Sequence, residues 1–288
     1  SLDPRRFTSH TNVEMTSLKA IEDYQNEFRF HFPHEHRPAA RPAKTTSLTP
    51  VMAPKNASFT VVNGRERVEY FKPSEDFQPS LSFHFDETFD IVAREVSNVR
   101  DNVGLCEVNG FNRFEITGLD SERFIDRLFC GNITHKPGRV GLGYLLNDFG
   151  MVKSEATIAN IPASDRGPNR MWYGSAAASE FHDMDWLSQH INPDENVKIK
   201  SLTNDQTTLI VAGPKAREVI SACSREDWSK EAFPWLSVRE CFIGFSAATV
   251  MSVSFSGELA YEVHVPNSSL YAAYLSLSEA GKEYGMKL

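Results

Sequence analysis

VSFSGELAYEVHVP, residues 253–266, is the stretch on which the reading of this chain turns. An apolar β pattern breaks at Gly257 and Glu258, resumes, and then sets a second acid, Glu262, between Tyr261 and Val263. A strand that only packs has little use for an acid there, because a buried carboxylate needs donors. A ligand with N–H groups on a flat ring would supply them, and Tyr261 and His264 beside the acid suit a pocket wall. A solvated outer face is the competing reading. It applies equally to Glu155, in MVKSEATIANI, where Val152, Ser154, Ala156 and Ile158 alternate with Lys153, Glu155 and Thr157.

The 288 residues suffice for one large domain or two ordinary ones, and 41% hydrophobic with 24% charged residues is a globular composition. No apolar run reaches the length of a membrane helix, so no membrane is expected as a partner. The formal charge of −8 is spread along the chain without a dense Lys/Arg stripe, so nucleic acid is not expected either. Cys106, Cys130, Cys223 and Cys241 form no CxxC pair. That argues against a metal or disulfide framework and for a reducing compartment: the cytoplasm, or the mitochondrial matrix in a eukaryote.

Residues 1–82 differ in texture from the rest. A short helix is predicted over Thr16–Phe28, with Leu18, Ile21 and Phe28 inward and Thr16 or Ser17 as cap. Pro33, Pro38, Pro42, Pro50 and Pro54 then make residues 31–57 an extended linker or strap. His31, His34 and His36 crowd there, but partners at ligand spacing are lacking, so no metal site is assigned. From Phe83 the pattern turns compact. Asp86 caps a helix with Phe89, Val92, Val96 and Val99 on one face. Strands, an amphipathic helix over Leu119–Phe129 and a hairpin turning at Asp148-Phe149-Gly150 follow. A helix over Ala177–Ile191 leads into a second round of strands and helices. The fold class is therefore α+β with mixed, mostly antiparallel sheets, divided into a tail or linker (1–82) and a domain (83–288).

Familiar devices are missing. GLGYLLN lacks the third glycine of a dinucleotide fingerprint and no helix follows it. There is no Walker lysine motif and no GxSxG elbow.

Three motifs carry a resemblance. Ser256-Gly257-Glu258-Leu259-Ala260-Tyr261-Glu262 resembles the x-Gly-Glu-x-x-x-Glu strand pair of the aminomethyltransferase (glycine-cleavage T-protein) family, which binds tetrahydrofolate. Gly213-Pro214-Lys215-Ala216 resembles its helix start, and Asn147–Glu155 its Asn-x-x-Gly-Gly-x-x-x-Asp hairpin. DPRRFTSHTN, PHEHRPAARPAKTTSL and GRERVEYFKP are similar to the junction of flavin and folate domains in dimethylglycine and sarcosine dehydrogenases. The resemblance implies an FAD domain upstream, a barrel-like domain downstream of Leu288, and a T-protein-like folate-binding domain here. It implies Glu262 as the pterin-binding acid, with Phe255, Gly257 and Tyr261 in the cofactor site, and Glu155 as the catalytic acid. Gly257 would let backbone approach the ligand. Two departures stand out, since the family's catalytic Asp is Glu155 and its usual Tyr is Phe255. A non-catalytic regulatory relative and a stand-alone aminomethyltransferase are the alternatives.

Overall fold

The structure, a computed structural model, describes Arg5, residues 11–131 and residues 136–288, so most of DPRRFTSHTN lies outside the described residues. Among the described residues the chain forms seven α-helices and thirteen strands, and every ladder is antiparallel. This is the α+β class expected.

The N-terminal region holds α1 (Val13–Gln25), α2 (Thr49–Met52) and a hairpin of β1 (Ala57–Val62) and β2 (Arg65–Phe71). The hairpin turns at Asn63-Gly64, both with positive φ, as a two-residue turn requires. Asn12 caps α1 by accepting from the Met15 amide at 2.8 Å, in place of the expected Thr16 or Ser17. Leu18, Ile21 and Phe28 stay exposed. The strap is thus less extended than its prolines suggested. Leu48, Met52 and Ala57 are buried in the largest core cluster, together with Val211, Ile220, Trp228 and Tyr261.

Two sheets carry the rest. A five-stranded sheet runs β11 (Val238–Ile243), β12 (Ser246–Met251), β13 (Ala260–Pro266), β10 (Gln206–Ala212), β3 (Gly104–Val108). A six-stranded sheet runs β5 (Phe129–Cys130), β6 (Arg139–Leu146), β7 (Val152–Ile161), β8 (Arg170–Ser175), β4 (Asn112–Thr117), β9 (Lys198–Ser201). Helices α6 (Ala216–Cys223) and α7 (Leu270–Gly281) contribute Ala216, Val219, Ile220, Leu270 and Leu277 to the core on the outer face of the first sheet. Helices α4 (Ser121–Leu128) and α5 (Glu180–Gln189) contribute Phe124, Ile125 and Leu187 to the core on the outer face of the second.

The inner faces of the sheets meet through Val140, Ala159, Ile161 and Trp172 from one and Val238 and Met251 from the other. Backbone bonds fasten the join: the Val140 amide donates to the Leu236 carbonyl and the Val238 amide to the Gly138 carbonyl, both at 2.9 Å. Arg170 adds ion pairs to Glu115 at 2.9 Å and Glu240 at 2.5 Å. Helix α3 (Glu87–Asp101) is capped by Asp86 as expected, but it is rotated away from the predicted face, of which Val99 alone is half-buried. Ile91 and Thr88 face inward while Phe89, Val92 and Val96 are exposed. Glu95 explains part of this, since its carboxylate accepts from the Phe71 amide at 2.9 Å and holds that face against β2.

Candidate functional site

Strand β13 has buried residues on both faces, because one packs on helices and the other on the second sheet. Alternation sends Tyr261, Val263 and Val265 into the helix-covered core. Glu262 and His264 therefore face the second sheet. His264 is buried and lies against the Trp172 ring, with centroids 4.9 Å apart. Its Nε2 is 3.1 Å from Glu262 Oε2 and its Nδ1 is 3.0 Å from the Thr208 hydroxyl. Thr208 pairs directly with His264 across β10 and β13, so the strand register makes that contact.

The Thr208 hydroxyl also accepts from Arg113 Nη2 at 2.7 Å. Arg113 reaches over from β4 and is buried, its guanidinium donating as well to the carbonyls of Phe111 (3.2 Å), Val108 (3.3 Å) and Gln206 (3.4 Å). Burial lowers its pKa to about 10, opposed by the charge of Glu262. Burial works against the Glu262 carboxylate, but the hydrogen bond to His264 and the positive charge of Arg113 outweigh it and hold the group below its ordinary range. The side chain is 33% exposed, so an ionised carboxylate faces the surface from an otherwise buried layer. Burial pushes the His264 imidazole down, which keeps it neutral near pH 7.

Glu155 lies on the same inner side of the second sheet. Ala159 pairs with Trp172, and Glu155 is four residues back along β7, hence on the same face. What turns it there is the opposite face. Ser154 is buried and donates to Asp183 at 3.0 Å, beside donations to the same oxygen from Tyr173 at 2.5 Å and Ser175 at 2.6 Å. Burial and the neighbouring Asp183 charge push the Tyr173 hydroxyl up, so it keeps the proton it donates. Glu155 itself is exposed, beside its cross-strand partner Tyr144. The hairpin before it turns at the expected place, with Asn147 Oδ1 accepting from the amides of Phe149 at 3.0 Å and Met151 at 2.9 Å.

The remaining sequence-based site residues are dispersed. Phe255 is fully exposed, in the irregular connection 252–259 between β12 and β13. Gly257 has φ +83°, and a Cβ there would meet nothing within 4 Å. Its positive φ calls for glycine, and the space beside its backbone is open. Tyr261 is a correction, since it is buried away from any surface. It packs between Trp228 and Phe233, with centroids 6.0 and 6.2 Å away, on the face opposite Glu262. Consecutive strand residues cannot share a wall. Missing from the sequence reading are Arg113, Thr208 and Trp172. Their partners are remote in sequence, and an Arg in the alternating strand NRFEIT reads as solvent-facing.

Two cavities lie elsewhere, and neither is lined by Glu155 or Glu262. One of about 110 Å³ lies among Arg5, Lys44, Arg65 and Glu180; another of about 240 Å³ lies between α1, the strap and the β1–β2 hairpin. His34 and His36 flank Glu69 at 2.7 and 3.2 Å, but among the described residues no group of three or more His, Cys, Asp or Glu is arranged to hold a metal ion. Among the described residues no helix is long and apolar enough to cross a membrane.

Residues 48–288 match the GCVT N-terminal domain, and residues 1–46 match the FAD dependent oxidoreductase central domain. The mitochondrial dimethylglycine dehydrogenase of Homo sapiens is 30% identical over 99% of this chain, which covers 32% of that protein. A sarcosine oxidase subunit alpha from Rhizobium meliloti is 34% identical over 68% of this chain and 20% of its own length. This chain thus spans about a third or less of the curated relatives it matches. Among solved structures, glycine cleavage system aminomethyltransferase T from Bartonella henselae superposes with a TM-score of 0.64 at 16% identity, over 81% of this chain and 56% of that one. That likeness shows the fold.

Proposed function

Residues 48–288 belong to the GCVT N-terminal domain family, and on that footing we propose that this chain is the tetrahydrofolate-binding, one-carbon-transfer part of an FAD-dependent dehydrogenase of N-methyl amines. The dimethylglycine and sarcosine enzymes are the type, and methylenetetrahydrofolate is the product. The observation that supports this most is Glu262, a part-exposed, ionised carboxylate whose Oε2 is engaged by His264 while a buried Arg113 balances its charge. Such a group fits a heterocycle edge that presents adjacent N–H donors. Residues 48–288 would carry the site, with the residues before Leu48 joining it to a flavin domain that holds FAD. The human relative is named as mitochondrial, which supports a mitochondrial location for a eukaryotic protein.

Tetrahydrofolate, when bound, supplies the nitrogen that takes up the one-carbon unit. Glu262 would hold the pterin edge. Glu155, exposed on the same inner side and fixed there by the Ser154–Asp183 bond, would take the proton that nitrogen releases. Tyr261 would act only through packing that fixes the strand bearing Glu262.

Calorimetric titration of the full chain with tetrahydrofolate tests the reading. Saturable binding is expected, weakened by about tenfold or more in Glu262→Gln. Equal affinity in parent and variant, both folded by circular dichroism, would remove Glu262 from the site.

A further inference from the structure

Three strands from two sheets converge behind Glu262, and their polar groups leave one consistent pattern of protons. Arginine has no acceptor, so Arg113 Nη2 must donate to the Thr208 hydroxyl oxygen. Because the Glu262 carboxylate only accepts, a neutral His264 carries its proton on Nε2 and leaves Nδ1 to accept the Thr208 hydroxyl proton, 3.0 Å away. The Nε2 proton points at Glu262 Oε2. The line runs from a buried cation to a part-exposed anion with every dipole aligned. Burial of His264 and its contact with the Trp172 ring prevent water from replacing either bond.

We propose that Arg113, Thr208 and His264 form a positioning relay that fixes the orientation of the Glu262 carboxylate, committing one oxygen to His264 and presenting the other to ligand N–H groups. The proposal rests on Glu262 being the pterin-binding acid. It assigns His264 the role of a neutral spacer that must donate on one side and accept on the other. A charged imidazole would donate from Nδ1 instead, turning the Thr208 hydroxyl proton away while standing close to Arg113. Acid therefore dismantles the relay. The charged groups facing it are Glu262 on β13 and Arg113 on β4, with Arg65 of β2 acting on Arg113 from further off.

Substitutions that keep or break the donor–acceptor order decide the matter. Glutamine has one donor and one acceptor at its tip, so His264→Gln and Thr208→Ser preserve the order, whereas His264→Phe and Thr208→Val break it with little change of shape. In the full chain, tetrahydrofolate affinity at pH 7.5 is expected to stay within about threefold for the first pair and to fall about tenfold or more for the second. Thr208→Val added to Glu262→Gln is expected to cost nothing further, because the relay has no other output. Nitrogen-15 NMR of the ligand-free chain is expected to show His264 as the Nε2–H tautomer, mixed in Thr208→Val. An Nδ1–H tautomer in the parent, or equal losses in His264→Gln and His264→Phe, would overturn the relay. If instead Glu262→Gln binds tetrahydrofolate normally while the tautomer is as stated, the relay stands as structure and the folate assignment alone fails.

Discussion

Leu48→Ala is the perturbation that most directly asks where the folded domain begins. Leu48 lies in a proline-rich stretch, yet it has 0% exposure and packs in the same core as Trp228, Tyr261 and the two sheet-covering helices. Truncation removes about three methylene equivalents, worth about 2.4 kcal/mol at ~0.8 kcal/mol each. The helix turn of Thr49–Met52 and the hairpin after it limit collapse around the gap, so a cavity of roughly 50 Å³ would add about 1 kcal/mol. A loss of about 3–4 kcal/mol is therefore expected, near the middle of the range for buried Leu→Ala changes. Urea unfolding followed by tryptophan emission reads it, because Trp228 reports on the same cluster. The midpoint should drop at an unchanged slope. Phe28→Ala is the matched control, since Phe28 is 93% exposed and its removal should shift stability by less than about 0.5 kcal/mol. If Leu48→Ala behaved like Phe28→Ala, the strap would be a linker after all and the core would start downstream.

Other outcomes follow from the same structure. His264 is held neutral and Glu262 ionised, both with lowered pKa values, so the folded state binds fewer protons than the unfolded chain. Their stabilisation is complete above the ordinary imidazole value of about 6.5 and is lost as pH falls, first through His264 and then through Glu262. Urea midpoints between pH 7.5 and 5 should fall, and less steeply in His264→Gln. Two glycines should respond differently to alanine. At Gly213, with φ +127°, a Cβ would sit 2.4 Å from the Val99 carbonyl oxygen, whereas at Gly257, with φ +83°, it would meet open space. Thermal melts should show a loss of about 3 kcal/mol or more at Gly213 and only about 1 kcal/mol at Gly257.

Much of the architecture was legible in the sequence because it depends on local signals. Asp86 caps α3, Asn147 and Gly150 turn the β6–β7 hairpin, and period-two alternation marks β7 and β13. Asn63-Gly64 was an equally good hairpin signal, but the density of prolines before it obscured a pair of strands. The orientation of α3 was not legible. Its apolar stripe pointed one way, while the hydrogen bond from Phe71 to Glu95 and the packing of Ile91 chose the other.

The same division holds at the candidate site. The sequence by itself determined that an acid interrupts an apolar strand, and strand period alone then separates Glu262 from Tyr261. It could not determine what lies opposite Glu262, since Arg113, Thr208 and Trp172 stand on other strands, up to 149 positions away on β4. Only the packing of one sheet on the other brings a guanidinium, a hydroxyl and an imidazole into line behind that carboxylate. Charge–charge and hydrogen-bond energies depend on distance and burial, and neither quantity exists until the tertiary fold has set them.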